Sequence, residues 1–138
     1  MTVGIDEGAV IEYIVTTFPD LQCEVVQGNW FFFRGADRKV PAITLMSNDA
    51  FDTYSDLGRP SVYRLNIGVS SDTFDRLVSG SASTSAVDYT ESDRILAHPE
   101  YGGAKWVCVV NPSEDTFAET VRPLLAEAHS RGESPLTG

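Results

Sequence analysis

Polar side chains with the chemistry to bind an anion occur in one alternating segment of the sequence, Val62–Val69. Arg64 supplies a rigid fork of N–H donors that fits carboxylate or phosphate, and Asn66 supplies both a donor and an acceptor. Residues two apart in a strand share a face and lie about 7 Å apart. We therefore predict that Arg64 and Asn66 form a ligand-binding pair on an outward, polar sheet face, with Arg59 just upstream.

A second group of chemically capable side chains lies just before and at the start of the last predicted strand. His98 brings an imidazole, Tyr101 a phenol, and Trp106 an aromatic plane on which a ligand could stack. The complete predicted ligand-binding set is Arg59, Arg64, Asn66, His98, Tyr101 and Trp106.

Two other interpretations of these residues stay open. The polar side of the Val62–Val69 strand could be an ordinary solvated sheet face, with Arg64 paired to a neighbouring acid. Alternatively, His98 could act as a catalytic acid or base, because histidine titrates near neutral pH, with Tyr101 and Arg64 orienting a substrate.

Other familiar chemistry is missing from the sequence. It contains no glycine-rich phosphate loop, no nucleophile elbow and no paired metal-ligand motif. The two histidines, His98 and His129, lie on separate predicted elements, and the two cysteines, Cys23 and Cys108, form no disulfide framework. We therefore predict neither a cofactor nor a metal site.

The charge balance narrows the classes of partner. The chain has 138 residues, with 10 basic and 20 acidic side chains that give a net charge of −10. Such a balance argues against nucleic-acid and anionic-membrane partners. The first residues lack a basic region followed by an apolar one, and no apolar stretch approaches the roughly 20 residues that a membrane helix needs, so we expect a cytoplasmic protein.

Hydrophobic periodicity, capping residues and turn residues predict the elements that position these side chains. The predicted elements in chain order are a helix from its Asp6 cap to Phe18, a hairpin of Leu21–Val26 and Trp30–Arg34, a strand Val40–Met46, a short helical piece from Asn48 through Tyr54, a strand Val62–Val69, a helix from Asp72, a flexible loop over residues 79–93, a strand Ala104–Val110 and a final helix from its Ser113 cap to Gly132. We expect Pro123 to bend the final helix, because proline lacks the N–H donor.

The order α-β-β-β-(α)-β-α-β-α predicts an α+β fold with two layers. Its mainly antiparallel sheet of about five strands carries helices on one face. We predict a single domain over residues 1–132 and a tail over residues 133–138. Alternation gives the strand around Trp30–Phe33 two apolar faces, so a loop, a ligand or a partner subunit must cover the second one, and a homodimer is one candidate.

Three segments of the sequence carry a resemblance to known proteins. They are Arg59–Gly68 (R-P-x-V-Y-R-L-N-I-G), His98–Tyr101 (H-P-x-Y) and Trp106–Pro112 (W-V-x-V-x-N-P). These segments resemble a family known only as a domain of unknown function. With the order of the elements, the C-terminal half, through Tyr63–Gly68, Trp106–Val109 and Leu124–Ala128, resembles the related MmcQ/YjbR-like family. The resemblance implies a CyaY-like, double-wing α+β arrangement and no established enzymatic activity. Some members are proposed to bind DNA, but this chain is acidic and its loop before Trp106 carries one lysine, Lys105.

These observations lead to one functional expectation. We predict a non-catalytic binding module that takes a small anionic ligand or a protein partner on the sheet face of Arg64 and Asn66. An enzyme that uses His98 as its acid or base is the alternative, and DNA binding ranks below both.

Overall fold

A computed structural model of the chain describes residues 5–33, 41–50, 54–58, 62–78, 89–99 and 101–131. Within these ranges the strands form one antiparallel sheet of six strands in the order β1-β2-β3-β4-β6-β5. The strands are β1 (Gln22–Val26), β2 (Asn29–Phe33), β3 (Pro41–Met46), β4 (Arg64–Gly68), β5 (Leu96–Ala97) and β6 (Trp106–Val110). The predicted α+β class is confirmed. The strand β5 was not predicted, because two residues are too few to show a period.

Helices cover one face of the sheet in the described part of the chain. They are α1 (Glu7–Thr17), α2 (Ser71–Val78) and a C-terminal helix made of α3 (Glu114–Thr116), a π-helical turn (Phe117–Val121) and α4 (Arg122–Arg131). Their apolar side chains share one core with those of the sheet; this core includes Val10, Ile14, Phe32, Ile43, Leu45, Leu65, Ile67, Val107, Val109, Val121 and Leu125. No described helix is long and apolar enough to cross a membrane.

The C-terminal helix begins as its sequence predicts and accommodates its proline by widening. The Ser113 hydroxyl accepts the Thr116 N–H and caps the first turn. The Arg122 N–H then donates to the Phe117 carbonyl five residues back, which is the π-helical pattern. Pro123 follows directly, and its ring would crowd the carbonyl four residues back in a regular helix. The wider turn leaves room for this ring and lies directly before the position at which the sequence predicts a bend.

The hairpin of β1 and β2 forms as predicted. Gln27 and Gly28 both have positive φ angles, 53° and 82°. This backbone is that of the two-residue turn whose twist matches the paired strands. On β2, Phe32 and Phe33 are buried, and Trp30 and Phe31 are half-buried, so the chain itself covers much of both faces of this strand.

The prediction of a short helical piece from Asn48 through Tyr54 is wrong for the part of this segment that the structure describes. Residues 48–50 are bends and residues 54–55 a turn, while residues 51–53 lie outside the described ranges. Side-chain bonds replace the helix: the Asn48 Oδ1 accepts the Ala50 N–H, and the Asp49 Oδ1 accepts the Leu57 N–H. Asparagine and aspartate compete with helix formation through such local bonds.

The end of the predicted loop over residues 79–93 is attached to the sheet. The Asp93 N–H donates to the Val110 carbonyl at 2.7 Å, and the Asp93 Oδ1 accepts the Ser113 N–H at 2.8 Å. Residues 79–88 and the predicted tail over residues 133–138 lie outside the described residues.

Candidate functional site

The sheet face opposite the helices is polar at its centre, as the alternation predicts, but it is not solvated. Arg64 is 0% exposed and Asn66 is 2% exposed. The prediction that the Arg64 guanidinium points out to solvent is therefore wrong. The reason is that the segment of residues 54–58 lies against this face, with Ser55 and Leu57 both buried.

Four buried polar side chains form one hydrogen-bonded group on this face, which we call the Arg64 network. The Arg64 Nε donates to the Asn66 Oδ1 at 2.9 Å, and the Arg64 Nη1 donates to the Ser55 Oγ at 3.1 Å. The Asn66 Nδ2 in turn donates to the Thr44 Oγ1 at 2.9 Å. The network thus joins β3, β4 and the segment of residues 54–58.

Burial makes the Arg64 network strong in its bonds and costly to break. A guanidinium removed from water loses several kcal/mol of hydration, which its hydrogen bonds must offset. Among the described residues, no buried side-chain nitrogen or oxygen lacks a hydrogen-bond partner. Because every member holds another in place, the network fixes the rotamers of Arg64 and Asn66 and attaches residues 54–58 to the sheet.

A pair of tyrosines at the protein surface lies beside the Arg64 network. Tyr54 precedes Ser55 and is 46% exposed, and its ring lies 6.2 Å from that of half-buried Tyr89 at an interplanar angle of 66°. Burial raises the pKa of the Tyr89 phenol, as do Cys108 and Tyr54, while the positive charge of Arg64 lowers it. The Tyr89 ring thus packs against Tyr54, the residue that precedes Ser55 of the network.

The remaining predicted site residues form a separate group at one end of this face. The backbone N–H of His98 donates to the Trp106 carbonyl at 2.9 Å, and the backbone N–H of Tyr101 donates to the His98 Nδ1 at 3.0 Å. The His98 and Tyr101 rings are 4.9 Å apart. Tyr101 is 56% exposed, whereas His98 is buried. The predicted residue Arg59 lies outside the described residues.

The Trp106 indole already uses one of its faces for packing. A Cβ atom built at Gly68, its partner across the β4–β6 pair, would lie 3.0 Å from the Trp106 Cε2. Glycine at this position lets the ring lie flat against β4. The predicted stacking plane is therefore occupied on one side by the backbone of the sheet.

The sheet register separates the two groups of predicted residues. Trp106 pairs with Gly68, four residues along β4 from Arg64, which corresponds to about 13 Å of strand. His98 is bonded to Trp106 and lies one strand further out. Its Nδ1 accepts the Tyr101 N–H, so a proton on that nitrogen would break the turn. This register does not assemble His98 and Arg64 as neighbours in a catalytic site.

Two residues of the Arg64 network, Thr44 and Ser55, and the tyrosine pair beside it were not predicted from the sequence. Thr44 lies at an alternating position of β3, opposite Asn66 in the register, so strand pairing would have found it. Ser55, Tyr54 and Tyr89 belong to irregular segments, where no period assigns a face. Within the described residues, no three histidine, cysteine, aspartate or glutamate side chains are grouped so as to hold a metal ion.

A comparison with models of protein families identifies the family of this chain. A model described as "Family of unknown function (DUF6194)" matches residues 5–136. The chain belongs to this family. The match fits the predicted resemblance to a family known only as a domain of unknown function, while the resemblance to the MmcQ/YjbR-like family stays a prediction. No curated protein and no solved structure matches the chain significantly.

Proposed function

We propose that this DUF6194 protein is a non-catalytic binding module that takes a small anion at the Arg64 network. The observation that carries the proposal is the convergence of Thr44, Ser55, Arg64 and Asn66 from separate chain segments on one buried spot. Ligand sites in proteins combine a mainly apolar surround with a few polar groups fixed in position.

The Ser55 hydroxyl marks the place where a ligand oxygen would bind. It is a neutral acceptor 3.1 Å from the Arg64 Nη1. The bond to Ser55 already has a charged donor, and a carboxylate or phosphate oxygen in the same place would add the attraction between opposite charges. We therefore expect a small anion to compete with this hydroxyl for the Arg64 Nη1, while the bond from the Arg64 Nε to the Asn66 Oδ1 keeps the guanidinium plane in its orientation.

Access to this position runs past the tyrosine pair. Ser55 follows the exposed residue Tyr54 directly, so we expect an anion to reach the guanidinium through a displacement of this segment. The segment has no regular secondary structure, and such segments open at lower free energy than strands do. We therefore expect the ligand to be small, because it enters at the turn of residues 54–55 and both Ser55 and Arg64 are fully buried.

The test is a titration with inorganic phosphate and with acetate, followed by calorimetry. We expect Arg64→Lys to weaken binding at least tenfold, because lysine keeps the charge but lacks the planar fork. Ser55→Ala should tighten binding about tenfold, because it removes the competing acceptor. The control is Arg94→Lys, which changes an exposed arginine paired with Glu91. Equal affinities in the wild type, Arg64→Lys and Ser55→Ala would refute the proposal.

A further inference from the structure

The two tyrosines above the Arg64 network have no role in binding a simple anion, and they point to a more specific ligand. Tyr54 and Tyr89 come from segments far apart in the sequence, and their rings meet at 6.2 Å in an edge-to-face arrangement. Tyr54 is exposed and Tyr89 half-buried. Exposed paired aromatic rings are common where proteins recognise partners or ligands, because they offer a large rigid surface with few rotatable bonds.

The position of these rings relative to Arg64 sets the shape of a ligand that would contact both. Ser55, which accepts a hydrogen bond from Arg64, is the direct neighbour of Tyr54. The Tyr89 ring lies 6.2 Å from that of Tyr54 and so extends the aromatic surface beside Ser55. A ligand with its charge at Arg64 therefore has its uncharged part beside the tyrosine rings at the surface.

We propose that the ligand is a small aromatic carboxylate. Its carboxylate takes the place of the Ser55 hydroxyl at Arg64, and its ring packs against Tyr54 and Tyr89. This inference rests on the proposed function, because it assigns the specificity of the same site. Tyr54 and Tyr89 are then the residues that determine specificity, while Arg64 provides the charge.

The experiment compares three carboxylates on the full chain by calorimetry: acetate, cyclohexanecarboxylate and benzoate. The last two have six-membered rings of comparable size, but only benzoate has a π-system. An aromatic contact contributes about 0.5–1.5 kcal/mol beyond area burial, so benzoate should bind roughly 2- to 12-fold more tightly than cyclohexanecarboxylate.

Variants of the two tyrosines assign the effect to them. Tyr54→Leu and Tyr89→Leu should each reduce the benzoate preference, whereas Tyr54→Phe keeps the ring and should preserve it. Tyr101→Leu is the matched control, because this exposed tyrosine belongs to the separate group near Trp106.

The outcomes separate this inference from the function on which it rests. If benzoate and cyclohexanecarboxylate bind equally and Arg64→Lys still weakens acetate binding, the site exists and the aromatic specificity is refuted. If no carboxylate binds the wild type or Ser55→Ala, the proposed function is refuted and the inference falls with it. A benzoate preference that survives both leucine variants also overturns the inference.

Discussion

Replacing Arg64 with methionine tests the buried state of its guanidinium, on which the account of the site depends. Methionine has a similar length and no polar hydrogen, so it fills most of the space without donating to the Asn66 Oδ1 or the Ser55 Oγ. Each buried acceptor that loses its donor costs about 1–3 kcal/mol. The apolar side chain recovers part of this loss, and we expect a net destabilisation of about 2–4 kcal/mol.

The measurement is urea denaturation followed by fluorescence of Trp30 and Trp106, with Arg94→Met as the matched control. The Arg94 side chain is 52% exposed, and its ion pair with Glu91 at 3.1 Å is a surface pair. Such pairs contribute about 0–1 kcal/mol. If the two methionine variants differ by less than about 0.5 kcal/mol, Arg64 meets water rather than protein, and the reasoning is refuted.

A double-mutant cycle shows whether the loss comes from the Arg64 network itself. Ser55→Ala removes one of the acceptors that Arg64→Met leaves without its donor. We therefore expect the alanine change to cost less in the methionine background than in the wild type, with a coupling of about 0.5–3 kcal/mol. Strict additivity would contradict a direct bond between these two side chains.

Two further predictions concern packing and pH. Gly68→Ala should destabilise the protein by about 1–3 kcal/mol and alter Trp106 fluorescence, because the new Cβ would meet the indole at 3.0 Å; in Gly103→Ala the Cβ meets nothing within 4 Å, and a similar cost there would contradict this packing. The hydrogen bond from His129 lowers the pKa of Asp20 below its ordinary value of 3.8, so the stability from this pair is present above that pH and lost as the pH falls below it. Denaturation at a series of pH values should show a weaker acid dependence in His129→Gln than in the wild type, and identical profiles would exclude this linkage.

The strands and helices near the site followed from local patterns in the sequence. Alternation in Val62–Val69 correctly placed Arg64 and Asn66 on the same face of one strand, and their bond at 2.9 Å confirms the pairing. Pro19 marked the end of α1, and Ser113 marked the start of the C-terminal helix. These features depend on neighbours within a few residues, so a single sequence contains them.

The burial of Arg64 depends on contacts that no local pattern encodes. Ser55 lies nine residues from Arg64 in an irregular segment, and Tyr89, whose ring contacts that of Tyr54, follows α2 in the chain. An alternating strand has one polar face whether that face meets water or a polar segment of the same chain. The sequence pattern therefore indicated that Arg64 and Asn66 share a face, but not the segment that covers them.

The most direct test of the binding site is the side-chain NMR signal of the Arg64 Nε–H group during an acetate titration. The signal is assigned by its loss in Arg64→Lys, and the exposed Arg94 provides an internal reference. The account predicts that the Arg64 signal shifts and saturates, at lower acetate concentration in Ser55→Ala than in the wild type. An Arg64 signal that stays unchanged in both proteins while acetate is added would contradict it.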